Sequence, residues 1–175
     1  MASRFSRSEL LSFHGATVDD VLGPDVDLLF VGINPGLWTA AVNAHFARRG
    51  NRFWPALYVA GMLPEQVDAS EGMTPRALGM IHQARIGISN LVPTASARAD
   101  ELTREQLLAG RLRLEALVAR TGPRVVAILG LTAYRQAFDR RATTSGRQHE
   151  RLAVNDSYGG AELWVLPNPS GLNAH

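Results

Sequence analysis

Two short stretches, far apart in the 175-residue chain, put polar side chains where chemistry is easiest to arrange. In Asp27-Leu28-Leu29-Phe30-Val31-Gly32-Ile33-Asn34-Pro35-Gly36 an apolar run reads as a strand covered on both faces, and Pro35-Gly36 ends it abruptly. Such a strand delivers Asn34 to its carboxyl end, the edge of an open α/β sheet beyond which ligands bind. Pro-Gly turns also close many strands that do no chemistry, so this stretch alone names no reaction.

The second stretch, Pro167-Asn168-Pro169-Ser170-Gly171-Leu172-Asn173, follows the last apolar run. The Ser170 hydroxyl and neighbouring N–H groups can hold a phosphate. A leucine at the tip of a turn is costly without an apolar destination. The gap between unstacked base pairs is one destination, and the underside of its own loop is another.

Missing residue types narrow the chemistry further. The chain has no cysteine, which removes disulfides, thiol nucleophiles, thiolate zinc sites and iron–sulfur clusters together. His14, His45, His82, His149 and His175 are scattered, without the spacing of a helical metal site, so neither a metal nor a cofactor is expected. All eighteen basic residues are arginines, which rules out a P-loop lysine and a lysine Schiff base. With a net charge of only +2, the field of the whole molecule argues weakly for nucleic acid. Local groups say more: Arg48-Arg49-Gly50-Asn51-Arg52, Arg111 with Arg113, and Arg140-Arg141.

These residues need elements to position them. Hydrophobic residues at 46% and charged residues at 19% suit one folded domain over residues 1–175. No apolar run approaches the roughly 18 residues that cross a bilayer, and Met1 to Arg7 has no apolar segment after its charges. A cytoplasmic protein with no membrane partner is expected. Ser6 to His14 reads as a helix that Thr17 to Val21 continues. Leu37 to Ala41 leads into a polar, arginine-bearing loop through Asn51, a lip over the strand tip. Arg52 to Gly61 and Pro75 to Gln83 have helical patterns. Ile86-Gly87-Ile88-Ser89-Asn90-Leu91-Val92-Pro93 is a second strand and turn.

Thr103-Arg104-Glu105-Gln106 fits a capping box and opens the best helix, which Gly122-Pro123 stops. Its Arg111, Arg113 and Arg120 lie largely off the apolar face and read as solvated surface. Arg124 to Gly130 is another doubly covered strand, Thr132 to Phe138 a helix, and Arg140 to Gln148 a loose polar segment. Leu152 to Asn155 and Leu163 to Leu166 flank a hairpin signal at Ser157-Tyr158-Gly159-Gly160. Helices alternating with buried strands predict a three-layer α/β/α sandwich with a mainly parallel central sheet. If the strands before Asn34 and Asn168 are parallel, both turns share one crevice.

Together, Gly32-Ile33-Asn34-Pro35-Gly36 and Asn168-Pro169-Ser170-Gly171-Leu172 resemble the two signature motifs of the mismatch-specific uracil/thymine DNA glycosylases, within the uracil-DNA glycosylase superfamily. Asn51-Arg52-Phe53-Trp54 and Gly87-Ile88-Ser89-Asn90-Leu91-Val92 are also similar to segments of that family, and the resemblance runs from about Val26 to Asn173.

It implies a monomeric, monofunctional enzyme that flips uracil, and with it other mispaired or damaged pyrimidines, out of double-stranded DNA and hydrolyses the N-glycosidic bond. Asn34 takes the family's water-holding position. Phe46 would stack on the flipped base, the backbone around Ile33 and Gly36 with the Thr39 side chain would line its pocket, and Asn90 would contact base or water. Ser170 would hold a phosphate, Leu172 would fill the gap in the stack, and Gly171 with Asn173 would meet the unpaired guanine. Family members carry more polar or basic residues where Asn173-Ala174 stands here. They also continue into another helix after the leucine, so the resemblance implies a C-terminal helix beyond these residues.

Two rival readings compete: a non-catalytic binder of mismatched or abasic DNA, and an enzyme of small nucleotides that uses the strand-tip crevice alone. A Ser-His-Asp hydrolase is remote, since Ser170 stands in no nucleophile-elbow sequence.

Overall fold

The computed structural model describes residues 4–152 and 160–170. Among these, β1 (Leu28–Gly32), β2 (Ile86–Asn90), β3 (Val125–Leu129), β4 (Gly146–Leu152) and β5 (Ala161–Leu166) form one sheet in the order β2-β1-β3-β5-β4. All neighbours are parallel except β4 with β5. Helices α1 (Arg7–Leu11), α2 (Leu37–Val42), α3 (Phe53–Val59), α4 (Pro75–Gln83), α5 (Arg104–Thr121) and α6 (Leu131–Ala137) surround it.

Alternation along the strands makes the three layers. Leu29, Val31, Val126, Ile128, Leu163 and Val165 point to one face, against Leu107, Leu114 and Leu117 of α5 and Tyr134 of α6. Phe30, Ile86, Ile88, Ala127 and Leu129 point to the other, against Phe53, Trp54 and Leu57 of α3 and Ile81 of α4. A parallel sheet buried on both faces explains why β1 and β3 read as unbroken apolar runs. Helix α5 lies close to the end of β2: a methyl group on Gly110 would come within 2.5 Å of the Leu91 carbonyl oxygen.

The expected boundaries hold where a cap defines them. Thr103 accepts from the Gln106 N–H while the Gln106 side chain accepts from the Thr103 N–H, and Gly122 ends α5 in a left-handed conformation at φ 59°. Three expectations need correction. Thr17 to Val21 does not continue the first helix: Val21 exchanges backbone hydrogen bonds with Ile88, and Thr17 bridges Thr94. Val21 thus supplies a partner to the outer edge of β2, and Thr17 one to the segment beyond it, a demand the local sequence does not display.

Arg140 to Gln148 is not loose throughout, since β4 begins at Gly146. Its mixture of arginine, glutamine, histidine and glutamate suits an exposed edge strand and hides it from a search for apolar runs. Arg113 is not plain surface either. Its guanidinium donates to Asp20 at 2.8 Å and to the Asn90 carbonyl at 2.9 Å, which ties α5 to the tip of β2.

Candidate active site

The helices that follow β1 pack on one face of the sheet, and those that follow β2 and β3 pack on the other. The chain therefore diverges at the carboxyl ends of these strands, which opens a crevice there. A cleft of about 590 Å³ occupies it, lined by Ile33, Asn34, Gly36, Thr39, Phe46 and Asn90, with Asn168 and Ser170 from the second turn. Ordinary ligand pockets span roughly 300–1,000 Å³. At the amino ends of the strands a wider depression of about 1030 Å³ contains none of these residues.

The ladder between β1 and β2 continues past both strands and fixes Asn34. Leu91 and Val92 donate to the carbonyls of Gly32 and Ile33 at 2.8 and 2.9 Å, and Ser96 donates to that of Pro35 at 3.1 Å. The Asn34 amide nitrogen then donates to the Thr94 and Pro35 carbonyls at 3.2 Å and to the Ser96 hydroxyl at 2.8 Å. Carbonyl oxygens only accept, so the nitrogen must face them and Oδ1 must face the other way. The Ser96 hydroxyl passes its own proton to the Arg98 carbonyl at 2.7 Å, which commits its oxygen to accepting from Asn34.

Phe46 sits in the left-handed region at φ 55°, a conformation uncommon outside glycine and asparagine. One face of its ring stacks on Phe53 at 4.0 Å between centroids, and Phe53 meets Phe30 edge-on. The strained backbone and the stack together hold the ring in the wall of the cleft. Thr39 is buried at the start of α2, whose first turn follows Gly36. Just past the end of β3, Gly130 takes φ 148°, and a methyl group there would strike the Ile33 side chain at 2.7 Å.

Asn90 is buried at the tip of β2, opposite Gly32. Its amide nitrogen lies 3.3 Å from Nδ1 of His45, whose Nε2 lies 2.9 Å from the Asp19 carbonyl. Burial pushes the His45 imidazole below its ordinary pKa, against the opposing pull of the Asp19 carbonyl and the Asp20 charge. The second turn is organised by Asn168, whose Oδ1 accepts from the Ser170 N–H at 3.0 Å. Arg52 donates its N–H to the Pro169 carbonyl at 3.0 Å, so the arginine-bearing loop and the second turn are joined.

The two stretches singled out in the sequence thus meet in one cleft through Asn34 and Ser170, together with Ile33, Gly36, Thr39, Phe46 and Asn90. Gly171, Leu172 and Asn173 lie outside the described residues. Sequence reasoning missed Ser96, which holds the Asn34 amide, and His45, which holds that of Asn90. Neither stands in a motif with its partner; only the chain's return to the strand tips unites them. Chemically, the site offers an amide carbonyl oriented by the three acceptors around its nitrogen, an aromatic wall and a second fixed amide. It suits a flat polar ring and a water molecule better than a nucleophilic attack by a side chain.

Residues 20–175 match the Uracil DNA glycosylase superfamily. The solution NMR structure of a Methanosarcina acetivorans protein ascribed to the uracil DNA glycosylases is similar, with a TM-score of 0.58 over 91% of this chain and 86% of that one. At 18% sequence identity that likeness is one of fold. Since the family match takes in every strand of the sheet and both stretches that meet in the cleft, the chain belongs to the uracil DNA glycosylase superfamily and is a DNA glycosylase, a hydrolase of N-glycosyl bonds in DNA.

Proposed function

We propose that this enzyme is a mismatch-specific, monofunctional uracil-DNA glycosylase, which extrudes uracil from a G·U pair and hydrolyses its bond to the sugar. The observation that carries the reading is the Asn34 amide. Its nitrogen is committed to Thr94, Pro35 and Ser96, which turns the carbonyl oxygen away from them to accept a hydrogen bond from water.

The C1′–N bond breaks toward an oxocarbenium-like sugar, and the bonding electron pair leaves with the base. Water then adds at C1′, and its proton passes to the departed base anion. An amide cannot take that proton as a carboxylate can, so Asn34 orients the water instead of acting as a general base, and turnover is slow. Phe46 stacks on the extruded ring, Thr39 with the backbone near Ile33 and Gly36 encloses it, and Asn90 meets its polar edge. Ser170 holds a phosphate, while Leu172 fills the space the base has left and Gly171 with Asn173 faces the unpaired guanine. Extrusion costs about a few kcal/mol and less from a mismatch, which favours G·U over a well-paired base.

The test is release of free uracil under single-turnover conditions from matched duplexes holding G·U or A·U, and from the single strand. Release fastest from G·U supports the proposal. Equal rates from all three would remove mismatch specificity, and no release at high enzyme concentration would leave a binder of mismatched or abasic DNA.

A further inference from the structure

Buried side-chain amides have two orientations that differ by exchange of C=O and NH₂, and something must choose between them. At Asn90 that choice falls to His45. The His45 ring is almost fully buried at 1% exposure and both its nitrogens are engaged. The Asp19 carbonyl can only accept, so the proton of the neutral ring resides on Nε2. Nδ1 is then a bare acceptor, and the Asn90 group facing it must be the amide nitrogen. Rotating the amide would set Oδ1 against that bare nitrogen, two buried acceptors with no proton between them.

The surroundings hold both partners in register. Asp20, next to the carbonyl that fixes His45, accepts from the Ser89 hydroxyl at 2.6 Å and from Arg113 at 2.8 Å. The same Arg113 donates to the Asn90 backbone carbonyl at 2.9 Å. On the cleft side Oδ1 sits within 2.5 Å of the place a methyl group on Gly32 would occupy, so only glycine leaves room for it.

We infer that His45 determines which pyrimidine the site accepts, by holding the Asn90 amide in the orientation that complements uracil and opposes cytosine. The inference rests on the proposed contact of Asn90 with the base. Uracil presents an acceptor at O4 and a donor at N3; cytosine presents a donor at N4 and an acceptor at N3. With one N–H given to His45, the amide keeps its other N–H and its carbonyl oxygen. These match O4 and N3–H of uracil, and they oppose cytosine at both atoms. His45 acts through Asn90 and is a positioning residue.

The experiment measures binding, with no chemistry, to duplexes holding 2′-fluoroarabino-uridine or 2′-fluoroarabino-cytidine opposite guanine; the fluorine opposes formation of the sugar cation and blocks cleavage. His45→Leu removes the acceptor, and His45→Asn keeps one near the Nδ1 position. The uracil-over-cytosine affinity ratio should fall about tenfold in His45→Leu, the scale of one buried polar mismatch, and stay within about threefold of the parent in His45→Asn. A folded His45→Leu protein that keeps the parental ratio would overturn the inference. So would imidazole ¹⁵N shifts of the unsubstituted protein that put the proton on Nδ1, a reading independent of whether any variant folds. Asn90→Ala separates the two levels. If it leaves the ratio as it was, the contact of Asn90 with the base is wrong; if it lowers the ratio and His45→Leu does not, only the role of His45 fails.

Discussion

The Asn34 amide nitrogen lies 2.8 Å from the Ser96 hydroxyl oxygen, and that hydroxyl lies 2.7 Å from the Arg98 carbonyl, so the proposed water-holding residue is oriented by a relay that ends in the backbone. Asn34→Ala should slow uracil release by about 10²–10⁴-fold, the range for a positioned catalytic group, with DNA affinity nearly intact. Ser96→Ala leaves the Thr94 and Pro35 carbonyls in place and should cost about 3- to 10-fold in the same step, the value of one hydrogen bond. Single-turnover rates beside binding isotherms check both. Equal losses in rate and affinity would mean that these residues bind DNA and do not position water.

Strand scission is the second expectation. Nicking at an abasic site by a bifunctional glycosylase needs an amine that forms a Schiff base, and the chain contains no lysine. The product should be an intact abasic strand that breaks only on alkaline treatment. Trapping of a covalent enzyme–DNA adduct by borohydride would contradict this.

Much of this architecture was legible in the sequence, and the reasons are local. Strands β1 and β3 announce themselves because both faces are buried, and α5 because Thr103, Gln106 and Gly122 write its ends. The meeting of Asn34 with Ser170 followed from parallel strands sharing an edge. What stayed hidden depends on distant partners. Val21 is extended because Ile88 needs a neighbour, β4 is disguised by the charges of an exposed edge, and Arg113 is drawn inward by Asp20. His45 finds Asn90 across 45 positions, a distance at which no periodicity signals contact.

Packing between α5 and the tip of β2 gives a stability prediction. Gly110→Ala would put its methyl group 2.5 Å from the Leu91 carbonyl oxygen, and backbone on that side cannot swing away as a side chain could. The cost should be about 1–3 kcal/mol, as for other overpacked sites, and the displacement would reach Asn90 one residue before Leu91. Denaturant unfolding should show a lower midpoint with the slope retained. A midpoint equal to the parent's would mean that α5 moves freely away from β2.

His45 also makes stability depend on pH. Burial holds its folded-state pKa below the unfolded value of about 6.5, against the charge of Asp20, the nearby Asp19 and the bond to the Asp19 carbonyl, and with the Arg113 charge acting in the same direction as burial. Between those two values the unfolded chain binds a proton that the folded protein refuses, so unfolding is favoured as pH falls. Stability should therefore be full above about pH 6.5 and decline below it toward the folded-state value, with a slope of at most about 1.4 kcal/mol per pH unit from this one group. The carboxylates held low by hydrogen bonds, Asp68 by the Ser70 backbone and Glu150 by Arg140, lose their contribution only at more acid pH, below the usual carboxylate range. Urea unfolding of the parent and of His45→Asn between pH 7.5 and 5.5 isolates the histidine, because the variant lacks the group and keeps its neighbours. Parallel stability curves for the two proteins would show that His45 takes up its proton as readily when folded as when unfolded, and that burial does not hold it neutral.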